Sequence, residues 1–237
     1  MEATRIDLHT HTFFSDGELA PSELVRRCVV RGYAALAIAD HADGSNLEEV
    51  LQRLYRFLRE QENDFPLTVI PSMELTHLPP ARIAPLARRA KELGAGLVVV
   101  HGETIVEPVA PGTNRAAVEC PDVDVLAHPG FITLEEAQIA ARTGVHLEIS
   151  GRRGHSLTNG WVAKTARQAG ALLVVDNDGH SPDDLMDQRM AQAVARGAGL
   201  DEAEVEAATV TNPRRLVEKA KERIARFQSG GRYDTNP

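Results

Sequence analysis

Short runs rich in Val, Ile, Leu and Ala alternate with longer amphipathic stretches along this chain, seven times over. The runs cover 5–11, 34–40, 67–74, 96–101, 123–128, 146–149 and 171–176. Each has the length of a strand, and the Val-rich ones lack a clean period of two. That pattern belongs to strands buried on both faces, as in a parallel sheet. Between them the spacing predicts helices from Pro21 to near Gly32 and over 45–62, 84–93, 161–169, 182–196 and 213–227, with a short one at 201–208. A further helix follows Thr133 and ends at Gly144. There Thr133 and Glu136 have the spacing of a capping box, in which each side chain satisfies a free backbone N–H. Strand and helix in alternation imply an α/β fold with right-handed crossovers and a predominantly parallel sheet, open or closed into a barrel. The chain is 237 residues long and holds no Gly/Ser linker or charge block. One domain is expected over 1–227, with a flexible tail at 228–237.

Composition removes several classes of function. Lys and Arg number 26 against 34 Asp and Glu, a formal net charge of −8. A long nucleic acid is therefore a poor fit, because binding one needs cations that displace phosphate counterions. An anionic membrane surface is disfavoured on the same ground, and no apolar run of 18 residues is present to span a bilayer. The start of the chain lacks the layout of a secretory signal. The two cysteines, Cys28 and Cys120, make no disulfide framework and suit a reducing cytoplasm.

The placement of the polar residues carries the chemistry. Nine His are present, and six of the seven runs end in, or lead into, His, Asp or Glu. The first gives His9 and His11, two apart and so on one face of a strand. The others give Asp40-His41, Glu74, His101, His128, and Asp178 with His180. In parallel strands these ends share one rim, where parallel barrels build their sites. A lone His at a strand end is usually structural, but this many together would be costly to bury without cations. Imidazole and carboxylate suit Zn, Mn or Fe. An ion with an open position takes about three protein ligands, so eight or nine ligands feed two or three divalent ions. Ions about 3.5–4 Å apart clamp both oxygens of an in-line displacement and activate a bridging water as hydroxide. Three divalent ions against Glu74, Asp178 and Asp16 leave a surplus of positive charge. That surplus suits hydroxide plus a phosphate dianion, and favours phosphoester over amide hydrolysis.

Together these motifs resemble the PHP (polymerase and histidinol phosphatase) family. The matching residues are Asp7-Leu8-His9-Thr10-His11-Thr12, Ser15-Asp16-Gly17, Ala39-Asp40-His41, Glu74, His101, Ala127-His128-Pro129-Gly130 and Asp178-Gly179-His180, spread over roughly 5–220. The resemblance implies a distorted (β/α)7 barrel, TIM-barrel-like, and a trinuclear metal centre. His9, His11, Glu74 and Asp178 would hold one ion. Glu74 would bridge to a second, completed by His101 and His128. His41, His180 and Asp16 would hold the third. Some family members carry His in place of Asp16; an Asp there makes the site harder and favours Mn or Fe over Zn. The family also uses an Arg from the region after the sixth strand to hold phosphate, which points to Arg152 or Arg153, a geometry guanidinium suits.

The remaining polar residues are less pointed. His155 is a candidate acid or substrate contact, and Glu148 either an acceptor behind a ligating imidazole or a buried structural carboxylate. His77 and His146 read as structural, and Glu103 as a surface group or, just past His101, a group behind the ligands. The expectation is a cytoplasmic metal-dependent phosphoesterase acting on a small phosphorylated substrate, with histidinol phosphate first by family resemblance. The alternatives are a nucleotide phosphoesterase or exonuclease-like phosphodiesterase, a metal-dependent lactonase or amidohydrolase, and a non-catalytic metal-binding domain.

Overall fold

The computed structural model describes residues 5–61 and 64–229. Among the described residues, nine short strands form the framework: β1 (Arg5–Thr10), β2 (Tyr33–Ile38), β3 (His41–Ala42), β4 (Thr68–Pro71), β5 (Met73–Leu75), β6 (Val98–His101), β7 (Val125–Ala127), β8 (His146–Ser150) and β9 (Leu173–Asp176). Every ladder between them is parallel. The strands order as β1-β2-β4 in one sheet and β3-β5-β6-β7-β8-β9 in another.

The seven runs account for these nine strands because two of them break. The second run leaves one sheet after Ile38 and resumes in the other at His41. The third breaks at Ser72, so β4 pairs with β2 while β5 pairs with β3 and β6. The N–H of Gly96 donates to the Pro71 carbonyl at 2.8 Å, which carries the order across the break. On the far side, β9 returns to β1: His11 N–H donates to the Gly179 carbonyl at 2.9 Å, and Thr10 bridges Gly179. The result is a distorted seven-position ring of the expected α/β barrel type.

Helices cover the outside: α1 (Pro21–Val30), α2 (Leu47–Gln61), α3 (Pro80–Glu92), α4 (Thr113–Glu119), α5 (Leu134–Thr143), α6 (Asn159–Ala169), α7 (Gln188–Gly197), α8 (Glu202–Glu206) and α9 (Asn212–Ser229). The capping box at Thr133 and Glu136 forms as expected, with Gly144 in the left-handed region closing α5. Some helices differ from the sequence expectation. Helix α3 begins at Pro80 rather than 84, because Pro80 fits the first turn and the buried Ile83 recruits the residues before Pro85. The predicted helix over 182–196 starts only at Gln188, behind an Asp187 cap, and Pro182–Asp184 is a separate single turn. Helix α4 was not foreseen. The final helix extends past 227 to Ser229, and 230–237 of the expected tail lie outside the described residues.

The core has two layers. Outer faces of the strands pack against the helices. Inside the ring, Ala35, Ala37 and Ala39 meet Ile6, Leu8, Val99, Val125, Ala127 and Val174. Leu216, Val217 and Ala220 of α9 join this inner cluster, which also holds Ile70 and Leu97. Helix α9 thereby closes the N-terminal end of the ring and leaves the C-terminal end open. No helix among the described residues is long and apolar enough to cross a membrane.

Candidate metal centre

The open end gathers the polar strand termini. Glu74, fully buried on β5, sits at the centre. Around it lie His9 Nε2 at 3.3 Å, His41 Nδ1 at 2.6 Å, His101 Nδ1 at 3.2 Å, His128 Nε2 at 3.7 Å and His11 Nε2 at 3.8 Å. Asp178 faces it from beyond β9, with His11 Nε2 at 3.3 Å, His128 Nε2 at 3.7 Å and His180 Nδ1 at 3.4 Å. Asp16 reaches in from the turn after β1, 3.4 Å from His41 Nε2 and 3.1 Å from His180 Nε2. All nine residues expected as ligands thus converge. Their ligand atoms fall into groups within 4.8 Å, among them His9/His11/Asp178, His9/Glu74/His128, His41/Glu74/His101 and His11/Asp16/His41/His180.

The fold explains this convergence. His101 follows Val99 by two and so shares its inward face. His128 and Asp178 stand just past the ends of β7 and β9 with φ of 26° and 51°. Those left-handed conformations turn the side chains back over the ring, and a non-glycine residue holds one only where its surroundings enforce it.

A shell of hydrogen bonds orients the cluster. Glu148 on β8 lies 3.3 Å from His9 Nδ1 and accepts the backbone N–H of His128 at 2.9 Å. Asp40 accepts the N–H and hydroxyl of Thr12 and the hydroxyl of Ser15, at 2.7–2.8 Å, which fixes the turn that carries Asp16. Beneath these, Asp7 pairs with the buried Arg5 and accepts the backbone N–H groups of His9 and Asn177.

The electrostatics favour added positive charge. Burial pulls the His9 imidazole down, but Glu74, Glu148 and Asp178 outweigh it and hold it well above its ordinary value. Burial is likewise overcome at His41, raised to about 10 by Glu74 and Asp16, and at His101, raised to about 9 by Glu74 and Glu107. Glu74 and Asp178 are driven well below the carboxylate range against their burial, chiefly by His9 with the surrounding imidazoles. His11, by contrast, is lowered by burial to about 3, and His128 well below its ordinary value. Burial thus favours the neutral form of both rings, which leaves each a lone pair on one nitrogen. His9 Nε2 and both ring nitrogens of His11 and His128 are buried without a hydrogen bond. Carboxylates that draw in cations, beside neutral imidazoles with unused nitrogens, fit divalent ions better than they fit a structural network.

The cavity above the cluster holds about 240 Å³ and is lined by Asp16, His41, His77, His101, Arg152, His155, Asp178 and His180, with Thr76 and Glu107. Arg152 lies on this wall. Its Nη1 donates to His180 Nδ1 at 2.6 Å and to the Asp178 carbonyl at 3.0 Å. Arg153 is exposed and does not line it. His155 is buried, stacked on His128 with centroids 4.1 Å apart, with Nδ1 2.7 Å from the Thr104 hydroxyl.

Three departures from expectation stand out. His77, read as structural, lies at the cavity mouth 3.1 Å from Glu107. Glu107 was missed altogether, because it follows no apolar run and reaches the site only through the path of its loop. Its one sequence signal was its place in the connection after His101. Glu103 also proves to be more than a surface group, since its carboxylate accepts the N–H groups of Gly112 and Asn114.

The PHP domain model matches residues 7–104, the segment that holds His9, His11, Asp16, His41, Glu74 and His101. An uncharacterized protein from Methanocaldococcus jannaschii is 47% identical over 216 residues, covering 91% of this chain and 99% of that one. The chain belongs to the PHP domain family. His128, Asp178 and His180 join the cluster from beyond the matched segment. Ribonuclease P protein component 3 from Methanosarcina mazei is 28% identical over 220 residues, covering 86% of this chain and 85% of that one. Among solved structures, a chain of archaeal ribonuclease P with mature tRNA superposes with a TM-score of 0.64 at 14% identity, covering 98% and 95% of the two chains. Histidinol phosphate phosphatase from Lactococcus lactis, solved with zinc, L-histidinol and phosphate, superposes at 0.54 and 14% identity, covering 92% and 94%. At these identities the two structures share the fold with this chain. Family membership and the cluster support a metal-dependent hydrolase.

Proposed function

We propose that this PHP protein is a metal-dependent phosphoesterase that hydrolyses a small phosphomonoester, with histidinol phosphate the first substrate to test. One observation carries the reading: Glu74 lies at the centre of five imidazoles, of which His9, His11 and His128 keep buried ring nitrogens without a hydrogen bond, and a small polar cavity opens beside the cluster. His9, His11, Glu74 and Asp178 would hold one ion, Glu74, His101 and His128 a second, and Asp16, His41 and His180 a third. When bound, such ions supply Lewis acidity and lower the pKa of water to give a nucleophile near neutral pH. The chain's own residues do the rest. Arg152, partly exposed on the wall, holds non-transferred phosphate oxygens, a role the exposed Arg153 is not placed to take. When Thr104 donates to Nδ1 of His155, the proton sits on Nε2, which lies 3.6 Å from Asp178 and faces the site. His155 is thereby set to donate a hydrogen bond to the leaving oxygen.

The size of the cavity favours a small ester, and the charge of −8 disfavours a long polyanion. A second reading, an RNA-associated subunit, draws on the 28% identity to ribonuclease P protein component 3. The deciding experiment is phosphate release from a panel of histidinol phosphate, nucleoside monophosphates and sugar phosphates. The protein would be stripped by chelation and refilled separately with Mn, Zn and Fe(II). Metal-dependent turnover of one phosphomonoester is the expected result. Bound metal with no release from any member would reject it and turn attention to phosphodiesters, then lactones and amides.

A further inference from the structure

Glu107 belongs to none of the three ligand groups above, yet it touches three imidazoles. Its Oε2 lies 2.9 Å from His101 Nε2 and 3.1 Å from His77 Nε2, and its Oε1 lies 3.4 Å from His155 Nε2. His101 is therefore addressed at both ends: Nδ1 faces Glu74 at 3.2 Å while Nε2 faces Glu107. His9 shows the same arrangement, with Nε2 toward Glu74 and Nδ1 toward Glu148, each at 3.3 Å. A neutral imidazole carries one proton. A carboxylate that accepts it at one nitrogen leaves a lone pair at the other. Outer carboxylates commonly orient metal-binding His in this way. Glu148 is hydrogen-bonded to His9 from a buried strand, whereas Glu107 approaches His101 Nε2 from an irregular connection between β6 and α4.

That connection is built to hold its position. The N–H of Glu103 donates to Asn114 Oδ1 at 2.9 Å, and Asn114 Nδ2 donates to the Pro129 carbonyl at 2.8 Å. The Glu103 carboxylate accepts from Gly112 and Asn114 at 3.0 and 2.9 Å. A Cβ at Gly102 would strike the Ala127 carbonyl, and one at Gly130 the Glu103 carbonyl, so both feet sit against neighbouring backbone. The backbone of His77 adds an independent sign. Among the described residues, only His77, His128 and Asp178 are non-glycine with positive φ, and the latter two are ligand candidates. Such conformations cost energy and concentrate at functional sites. At His77 the strain aims the ring at Glu107, with its centroid 4.8 Å from that of His101.

We propose that Glu107 is a positioning residue of the metal centre: its carboxylate, in charge contact with His101 Nε2, holds the ring with Nδ1 toward Glu74 and the ion that Glu74 and His128 would share, and is itself hydrogen-bonded by His77. The inference rests on the metal-centre reading above. The test uses the full chain, stripped and titrated with Zn²⁺ against a chromophoric chelator, as wild type and as Glu107→Ala, Glu107→Asp and His77→Ala. Glu107→Ala should weaken one ion by about 10- to 100-fold and leave the number of ions and the other affinities unchanged. Glu107→Asp should recover part of that loss, and His77→Ala should weaken the same ion less than Glu107→Ala does. Equal affinities in wild type and Glu107→Ala would overturn the proposal. So would loss of one whole ion in both Glu107→Ala and His77→Ala, which would make His77, His101 and Glu107 a cation site of their own. A wild type that takes up no Zn²⁺ would reject the metal-centre reading itself, an outcome distinct from any Glu107 effect.

Discussion

Arg152 and Arg153 are neighbours in sequence and differ in everything that matters to an anion. Arg152 is anchored by His180 and the Asp178 carbonyl, with Asp184 3.9 Å away, and its head group lies on the cavity wall. Arg153 is exposed. The sequence alone left the two open, because the turn after β8 decides which one faces inward. A charge-assisted hydrogen bond contributes about 1.5–3 kcal/mol. Arg152→Ala should therefore raise KM for the phosphomonoester about 10- to 100-fold, while Arg153→Ala stays within threefold, measured on the Mn-loaded protein. The reverse ranking would move the phosphate subsite off this wall. The same contrast explains which residues were legible. His9, His11, Glu74, His101 and His128 stand in or directly after apolar runs, and a parallel fold sends such ends to one rim. Glu107 and His77 depend on the course of irregular backbone, which neither periodicity nor composition encodes.

At the scale of elements, the alternation of runs was enough for the ring, but not for its seams. The runs over 34–40 and 67–74 read as single strands because apolar side chains continue through the breaks; Ile70, Met73 and Leu75 are all buried. The breaks have a consequence at the site. Asp40, lying between β2 and β3, points its carboxylate at the turn after β1 instead of extending a ladder. It accepts three hydrogen bonds from Thr12 and Ser15, and that turn delivers Asp16. Asp40→Asn keeps the shape but loses the charge and one carboxylate acceptor. The third ligand group should suffer alone, its ion weakening about 10- to 100-fold with the other affinities preserved. Calorimetric titration of the stripped protein checks this. Equal weakening of every ion would mean that Asp40 supports the whole rim, and no loss would detach the turn from metal binding.

Across the whole molecule, the two ends of the ring carry different charge. The open end is dominated by the carboxylate–imidazole cluster. The closed end holds Asp124, ringed by Lys91, Lys219 and Arg223, and the buried His146. Burial, with Lys219 and Arg215 nearby, lowers the His146 imidazole to about 4. The unfolded chain regains an ordinary value near 6.5, so it binds more protons than the folded chain between those limits. His146 therefore costs nothing above about pH 6.5 and destabilises progressively as pH falls toward 4, by about 2–3 kcal/mol at pH 4.5. His146→Leu should remove that part of the acid sensitivity, read from urea unfolding of the metal-free proteins at pH 7 and 4.5. The same polarity bears on RNA. Helix α9 carries Arg214, Arg215, Lys219, Lys221, Arg223 and Arg226 against Glu218 and Glu222. Two of these cations are spent on Asp124, and Lys221 and Arg226 pair with Glu218 and Glu222. Elsewhere Arg27, Arg53, Arg115, Arg167 and Arg196 each face a carboxylate. Among the described residues no stripe of free cations leads to the cavity. Mature tRNA should accordingly bind more weakly than about 100 µM at 150 mM salt, in fluorescence anisotropy, the weak end of non-specific binding. Low-micromolar binding that collapses between 50 and 200 mM salt would favour the RNA-associated reading. Were that binding lost in Arg214→Glu/Arg215→Glu but kept in Arg152→Ala, the RNA would lie on the closed end, away from the metal centre.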